Sequence, residues 1–249
     1  MKAVAYRGLG DWGGAGNQLW QIAATVGVAR TIDASPIVDP EWKYRAFFSL
    51  PEDWYSDDHA RHVAHFIHGN HWAKTYCQDP SLWAHVADEI RAAFAPSPRA
   101  QAVLDALPEP GPDDVAVHVR RGDYLTLPRH LPFAGRAYYA DAAWGFTEMR
   151  GDWGVFDVFT DDADWCKGHL PWPVVSTDTA DDGSVEPRDW LDLFRMARYR
   201  SLVIANSSYS WWAAFLAGPD ATVVAPARWF GPAIDVPSPA LDSWIEVQC

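Results

Sequence analysis

The stretch H-V-R-R-G-D-Y, residues 118–124, follows directly on the apolar run V-A-V at residues 115–117. An apolar run of this kind predicts a buried strand, so the two arginines stand where that strand ends. Ligands of open α/β sheets bind outside the carboxyl ends of strands, and a guanidinium fork matches two phosphate oxygens. The two arginines thus form a local paired cation, and we predict that they contact a phosphate-bearing ligand, while Asp123 orients an arginine or accepts a proton. A surface ion pair is the alternative interpretation.

The rest of the chain alternates strand and helix patterns, which is typical of a parallel sheet covered on both faces. In the second half, strands are predicted at 114–119, 155–160, 173–176, 201–205 and 221–225, and helices at 137–150, 187–199 and 209–217. In the first half, strands are predicted at 2–6 and 36–39, and helices at 17–30, 57–68 and 81–94. Prolines between residues 96 and 112 mark a boundary. We expect an N-terminal domain of residues 1–110 and a C-terminal domain of residues 111–249.

The composition indicates an acidic globular protein. Of its 249 residues 49% are hydrophobic, and the formal net charge is −13. A negative surface repels polyanions, so nucleic acid is not expected as a partner, whereas a small anion can still bind local arginines. Three cysteines without metal-binding spacing predict a reducing, cytoplasmic location. The longest apolar run, residues 211–217, is short for a membrane span, so we expect neither a transmembrane segment nor a signal peptide.

A glycine-rich loop precedes the first predicted helix. Residues 8–13 read G-L-G-D-W-G, and Asp33 lies about 20 residues further on, as in a dinucleotide-binding fingerprint. The predicted helix begins only at Asn17, so this fingerprint is offset by roughly one turn. A second run, G-G-A-G-N at residues 13–17, adjoins the helix, where backbone amides can bind an anion. A flexible loop, a dinucleotide site and a site for another ligand therefore remain as interpretations.

Two further polar segments follow predicted strands. The run F-T-D-D at residues 159–162 offers carboxylates that could receive the two N–H groups of a guanine edge, or could cap a helix. The run A-N-S-S-Y-S-W-W at residues 205–212 joins a strand to a helix, where serines can cap the helix and donate to phosphate.

A histidine series and a high tryptophan content complete the sequence features. Histidines recur every third residue from His59 to His71, but the stretch has no cysteine and its only acids adjoin His59. We predict no metal site there, because this spacing drifts around a helix and the ligand set is poor. The 15 tryptophans belong mainly to the core, although some could line a cleft that stacks on sugars.

Five motifs together resemble those of glycosyltransferase family 11, the α-1,2-fucosyltransferases. In chain order they are G-G-A-G-N-Q-L-W-Q at residues 13–21, H-V-R-R-G-D-Y at 118–124, F-T-D-D-A-D-W-C at 159–166, N-S-S-Y-S-W-W at 206–212 and A-P-A-R-W-F at 225–230. The similarity covers nearly the whole chain and is thinner across residues 40–112. It implies an α/β protein with two Rossmann-like lobes of the glycosyltransferase B type, with parallel sheets and a cleft between the lobes.

The resemblance also implies a reaction. An inverting enzyme of this family moves L-fucose from GDP-β-L-fucose to a sugar hydroxyl, here the 2-OH of a terminal galactose, and forms an α-1,2-fucoside. GDP-fucose and a glycan or galactoside acceptor are then the partners, and no metal or other cofactor is required. A lipid-linked acceptor would place the protein at the periphery of a membrane.

Residue roles follow from the resemblance by matching motifs. Arg120 would bind the β-phosphate of GDP, and His118 would lie near the guanosine. Asp162 would read the guanine, by analogy with α-1,6-fucosyltransferases. Ser207 and Ser208 would hold the diphosphate. The residues implied to close over the phosphates or the fucose from the other lobe are Gly14, Gly16, Asn17 and Gln18.

The catalytic base does not transfer from these relatives. The α-1,6 enzymes place a glutamate five residues after the aspartate of this motif, and this chain has Pro128 there. Asp123 and His130 are our candidates. Two other functions remain open: a dinucleotide-binding oxidoreductase that uses Gly8, Gly10 and Gly13, and a non-catalytic glycan-binding protein. The first would bind NAD rather than GDP, and the second would bind glycans without GDP.

Overall fold

The computed structural model describes residues 3–11, 13–56, 76–151, 154–176 and 189–249. These residues form two compact units. The first comprises the described residues up to Leu107 together with Asp189 and Trp190, and the second comprises those from Pro108 onward and from Leu191 to Cys249. No helix among the described ranges is long and apolar enough to cross a bilayer.

The first unit contains a parallel strand pair and several helices. Strand β1 (Ala3–Ala5) pairs in parallel with β2 (Ser35–Ile37), and helix α1 (Ala15–Thr31) connects them as in a βαβ unit. Three 3₁₀ turns follow at Glu52–Trp54, Pro80–Leu82 and Ala84–Val86. Helices α2 (Ala87–Ala93) and α3 (Pro98–Asp105) complete this unit, and Ser97 caps α3 by accepting from the Ala100 amide at 3.2 Å.

The second unit is built on a five-stranded parallel sheet. Its strands are β3 (Val115–Val119), β4 (Phe156–Thr160), β5 (Ser201–Val203), β6 (Thr222–Pro226) and β7 (Ile245–Val247), in the order β4-β3-β5-β6-β7. Its helices are α4 (Gly135–Arg150), α5 (Ala163–His169) and α7 (Ser208–Leu216). Helix α6 (Asp189–Met196) belongs to this unit from Leu191 onward. The predicted α/β class with parallel sheets is thereby confirmed.

Val174 extends this sheet beyond β4. It forms a parallel bridge with Val158, whose amide donates to the Pro173 carbonyl at 2.9 Å. If this bridge is counted as a strand, the spatial order becomes that of the doubly wound dinucleotide-binding fold. In either count the strand order reverses between β3 and β5, and such a reversal opens a crevice at the carboxyl ends of the strands.

The core of the second unit explains why these segments form a layered sheet. Strand β3 is buried along its whole length, as a strand covered on both faces should be. Helix α4 packs Tyr138, Tyr139 and Phe146 against the sheet. The Tyr138 hydroxyl donates to the carbonyl of Ile204 at 2.6 Å, so its polar tip is satisfied inside the core.

The predicted elements differ from the observed ones mainly at their ends. Helix α1 begins at Ala15 rather than Asn17, and the predicted helix at 81–94 divides into two 3₁₀ turns and α2. The predicted elements do not include β7, and α5 is implied only by the capping interpretation of the F-T-D-D segment. The prediction also extended β5 to residue 205, beyond its last residue, Val203. The predicted helix at 57–68 and the histidine series from His59 to His71 lie outside the described residues.

Candidate active site

The carboxyl ends of β3 and β5 lie side by side at the point where the strand order of the second unit reverses. Val117 of β3 is in register with Val203 of β5, so the segments that follow both strands leave the sheet at the same edge. The segment after β3 carries Arg120, and the segment after β5 carries Ser207. This edge is where open α/β sheets bind their ligands.

Arg120 is the central cation of this edge. Its guanidinium lies 2.8 Å from an Asp123 carboxylate oxygen and 3.1 Å from an Asp161 oxygen, and 37% of its side chain remains exposed. Partial burial lowers the pKa of Arg120, but the charges of Asp161 and Asp123 outweigh this and raise it above the ordinary arginine value. Arg120 therefore carries a permanent charge that solvent can reach. We call Arg120, Asp123, Asp161 and Ser207 the strand-end cluster.

Asp161 fastens the loop that carries Arg120. Its two carboxylate oxygens accept the backbone amides of Arg121 at 2.9 Å and Gly122 at 3.0 Å. A Cβ at position 122 would lie 2.7 Å from an Asp161 oxygen, so only glycine allows this approach. The sequence analysis considered Asp161 as a carboxylate for a guanine edge or as a helix cap, and did not predict that it fastens this loop. Its place beside Arg120 follows from the pairing of β3 with β4.

Arg121 does not share the environment of its neighbour. Its guanidinium lies over the Trp165 ring at 4.1 Å and the Phe133 ring at 4.9 Å, and its Nε donates to Asp162 at 2.9 Å. Only 13% of its side chain is exposed. The two arginines were read as a paired cation, and the structure corrects this, because an arginine enclosed by two rings and a carboxylate braces the loop.

Asp162 occupies a helix N-cap. One carboxylate oxygen accepts the Trp165 amide at 3.1 Å, and the other accepts from Arg121. The hydrogen bond from Arg121 is the largest cause that lowers the pKa of Asp162 below its ordinary value. The capping interpretation is therefore realised. The role of Asp162 in reading guanine stays a prediction, and the residue would have to combine it with these two bonds.

His118 is a buried, neutral group inside β3. Burial lowers its pKa to about 3, and the nearby charge of Arg120 contributes further. Its ring centroid lies 5.6 Å from that of Tyr209, and its Nδ1 has no hydrogen-bond partner among the described residues. At neutral pH His118 can therefore offer a hydrogen bond but no charge.

The serine segment forms the beginning of α7. Ser207 is buried at the N-cap and accepts from the Tyr209 amide at 3.4 Å, while Ser208 is half-buried at the first helical position. The first turn contains no acidic residue. Free amides, a positive helix end and two hydroxyls thus meet at the carboxyl end of β5, an arrangement that favours an anion.

Tyr124 and Asn206 join the loops of this edge, and the sequence reasoning assigned them no role. The buried Tyr124 hydroxyl donates to the Asn206 carbonyl at 2.8 Å, which ties the loop after β3 to the loop after β5. The Asn206 amide donates to the carbonyls of Pro132 at 3.0 Å and Trp229 at 2.9 Å. Tyr124 ends the H-V-R-R-G-D-Y motif, and Asn206 begins the N-S-S-Y-S-W-W motif. Their membership of these two motifs was the sequence signal that could have identified them.

The two candidate bases differ in their surroundings. Asp123 is exposed over 48% of its side chain, and one of its carboxylate oxygens accepts two hydrogen bonds from Arg120. His130 is half-buried, and its carbonyl accepts the Gly231 amide at 2.8 Å, which fixes its backbone. Asp123 therefore lies in the strand-end cluster itself, whereas His130 lies on the loop beyond it.

The glycine loop of the first unit is fixed by side chains that return to it. Gln18 is buried, donates to the Gly13 carbonyl at 3.0 Å and accepts from the Trp42 indole at 2.9 Å. Asn17 accepts from the Gln78 amide at 2.9 Å. Gly13 has a φ of +76°, and a Cβ there would lie 2.6 Å from the Asn17 side chain. Gln18 therefore shapes this loop with both ends of its amide, which the prediction of a ligand contact did not foresee.

Helix α1 begins with a free N-terminus. Gly14 is its N-cap without a side-chain bond, Gly16 is buried in its first turn, and that turn has no acidic residue. The third glycine of the dinucleotide fingerprint, Gly13, lies two residues before the first helical residue, Ala15. The fingerprint is therefore offset from the helix, but by less than the turn that the sequence predicted. In the part of the chain that the structure describes, no three histidine, cysteine or acidic side chains are grouped as metal ligands would be.

Comparisons with known proteins identify the family of this chain. The family model described as "Glycosyl transferase family 11" matches residues 37–245. An O-antigen biosynthesis glycosyltransferase WbnK of Escherichia coli is 32% identical over 53% of this chain and 44% of its own length. An alpha-1,2-colitosyltransferase of Escherichia coli is 31% identical over 55% of this chain and 48% of its own length.

A more distant relative is the human galactoside alpha-(1,2)-fucosyltransferase 1. It is 29% identical over 59% of this chain and 44% of its own length. The chain thus spans about half the length of the curated relatives that it matches.

Proposed function

Since the chain belongs to glycosyl transferase family 11, we propose that it transfers L-fucose from GDP-fucose to the 2-OH of a terminal galactose, with inversion at the anomeric carbon. The observation that carries this proposal is Arg120, an exposed permanent cation at the switch point of a parallel sheet, beside the free N-terminus of α7. A diphosphate is the ligand that both features favour.

The donor is held mainly by the strand-end cluster. Arg120 binds the β-phosphate, and Ser207 and Ser208 hold the diphosphate at the start of α7. His118 and Asp162 contact the guanosine, His118 as a neutral hydrogen-bonding group. The contribution of Gly14, Gly16, Asn17 and Gln18 from the first unit stays a prediction.

Donor binding exchanges the partners of Arg120. Asp161 is held by two backbone amides and is only 23% exposed, so it keeps its place. Asp123 is more exposed, and among the described residues Arg120 is the partner that holds its carboxylate. A diphosphate that pairs with Arg120 therefore displaces Asp123, whose carboxylate is then free to accept a proton.

The reaction follows from this exchange. The acceptor hydroxyl oxygen attacks the anomeric carbon of fucose in line with the departing diphosphate, so that one C–O bond forms as another breaks. Asp123 accepts the hydroxyl proton, and the leaving GDP takes the electron pair of the broken bond. Arg120 and the helix amides compensate the growing negative charge, so that we expect no requirement for a divalent metal.

Calorimetry and a transfer assay test the proposal. The purified chain should bind GDP, and it should not bind NAD with comparable affinity. Incubation with GDP-fucose and a panel of galactosides should give a product whose mass and linkage identify an α-1,2-fucoside. GDP-colitose belongs in the same panel, because one relative is named for colitose transfer. Absence of GDP binding by folded protein would sink the proposal.

A further inference from the structure

A groove on the second unit lies between helix α4, the end of α5 and the start of β4. It encloses a cavity of about 750 Å³. The residues that matter for its chemistry are Arg136, Asp141, Trp144, Phe156, His169 and Trp172. A cavity of this volume, walled by aromatic rings and supplied with a few polar groups, has the usual make-up of a small-molecule site. We call it the α4–β4 groove.

This groove is separate from the strand-end cluster. Phe156, which lines the groove, is the first residue of β4, whereas Asp161 follows the last residue of that strand. At about 3.3 Å per residue, a five-residue strand separates its two ends by roughly 13 Å. No residue of the groove belongs to the set that we assign to GDP.

Two tryptophans form its walls. Trp172 stacks on Phe156 with ring centroids 4.9 Å apart and planes inclined by 22°, so its indole is held in one orientation. Trp144 projects from α4 with 56% of its surface exposed. Aromatic faces carry negative potential, which attracts the weakly positive C–H groups on the apolar face of a sugar ring. A ring held by its neighbours loses little conformational entropy when a ligand stacks on it.

The polar groups of the groove suit a neutral ligand. His169 stacks on Trp165 at 4.6 Å, and its Nδ1 lies 2.8 Å from the Trp165 carbonyl. A carbonyl only accepts, so Nδ1 carries the proton, and Nε2 of the neutral ring can accept from a hydroxyl. Arg136 can donate and Asp141 can accept, and their opposite charges favour neither an anion nor a cation. Hydroxyl groups, which both donate and accept, match this set.

We propose that the α4–β4 groove is a second, non-catalytic binding site for a neutral saccharide. A pyranose ring stacks on Trp144 and Trp172, and its hydroxyls bond to Arg136, Asp141 and His169. The choice of a saccharide among neutral ligands rests on the proposed function, because the acceptor of that reaction is a glycan. Such a site holds a glycan chain at a distance from the hydroxyl that reacts.

Tryptophan-detected NMR of the whole chain tests this site. The ¹⁵N-indole signals of Trp144 and Trp172, assigned through single substitutions, should shift saturably as lactose is added, both with and without GDP. Trp144→Ala should weaken the lactose affinity about tenfold, because it removes one stacking face. Met149→Ala is the matched control, because Met149 is an exposed residue of α4 outside the groove. The lactose affinity of this variant should equal that of the unchanged protein.

Three results would overturn the inference. They are no saturable shift of either indole signal, an unchanged lactose affinity in folded Trp144→Ala, and sedimentation showing that the unchanged protein dimerises while Trp144→Ala does not. The last result would make the groove an interface between copies. The GDP titration of the same sample is judged separately, so that failure of GDP binding beside intact lactose binding counts against the proposed function alone.

Discussion

The strand-end cluster and the α4–β4 groove lie toward opposite ends of β4, yet they differ in the chemistry that they offer. The cluster is an ion-pair network around one exposed arginine, next to a helix N-terminus. The groove has two indole walls, of which Trp172 is stacked on Phe156, and it is lined by one basic and one acidic side chain. Under our two proposals, one sheet presents a site for a charged diphosphate and a site for a neutral ring. Ligand class in this unit is set by the loops and helix faces around the sheet, since the sheet itself supplies only their positions.

The largest expected effect is at Arg120. Arg120→Ala should lower kcat for fucose transfer at least about 100-fold, because it removes the charge that stabilises the leaving diphosphate. It should leave lactose binding in the α4–β4 groove unchanged. Arg200→Ala is the control, since this exposed arginine precedes β5 at the opposite edge of the sheet. Steady-state kinetics on both variants decides the matter, and near-normal turnover in folded Arg120→Ala would refute the assignment.

Arg121 should affect stability before it affects chemistry. Arg121→Ala removes a guanidinium held between Trp165 and Phe133 and leaves Asp162 without its cation. We expect a loss of about 2 kcal/mol in the free energy of unfolding, measured in urea. The Trp165 ring also stacks on His169, which lines the α4–β4 groove, so the lactose affinity of Arg121→Ala should fall as well. An unfolding free energy equal to that of the unchanged protein would show that Arg121 does not brace the loop.

His118 makes the free energy of unfolding of the protein depend on pH. The unfolded chain binds a proton at His118 with an ordinary pKa near 6.5, and the folded chain binds it only near pH 3. Between these values the unfolded state holds more protons, so stability falls as pH falls. From pH 7 to pH 5 this group should cost about 2 kcal/mol. In urea unfolding, the free energy of unfolding of His118→Gln should therefore fall by about 2 kcal/mol less than that of the unchanged protein between pH 7 and pH 5. Parallel pH profiles for the two proteins would contradict the prediction.

Asp162 can be tested without breaking its cap. Asparagine caps helices as well as aspartate, so Asp162→Asn should keep the stability of α5 to within about 1 kcal/mol. The amide cannot accept both N–H groups of a guanine edge, and GDP affinity should fall about tenfold if Asp162 reads the base. Calorimetry with GDP and with IDP gives the answer. IDP lacks the exocyclic amino group of guanine, so its affinity should fall less than that of GDP if Asp162 reads the base. An equal loss of affinity for GDP and IDP would instead show that the substitution acts through Arg121 and its loop.

The smallest expected effect is that of metal removal. If Arg120 and the start of α7 compensate the diphosphate charge, treatment with EDTA should leave the initial rate of transfer unchanged. Added Mg²⁺ should then have no effect either. A rate that disappears in EDTA and returns with Mg²⁺ would show that the cluster does not balance the charge by itself.

The strand ends were predictable because the sequence signal was local. The buried run before Arg120 and the apolar run before Asp161 each match a strand of the observed sheet. The ends of helices were less predictable. Helix α1 begins at Ala15, two residues before the predicted start, because its N-cap is Gly14 and no polar capping side chain marks that position in the sequence. Helix α5 was implied only by its capping aspartate because its apolar face is short, and β7 was missed because its residues are largely exposed.

Chain order alone determined that this protein alternates strands and helices, and that arginine, aspartate and serine leave the sheet at one edge. It could not determine which of two adjacent arginines meets solvent. That depended on Trp165 and Phe133, which come from other segments and enclose Arg121 while leaving Arg120 open. It also could not determine the α4–β4 groove, whose walls are about 30 residues apart in the chain. Periodicity reports which face of an element is apolar, whereas only packing decides which element meets that face.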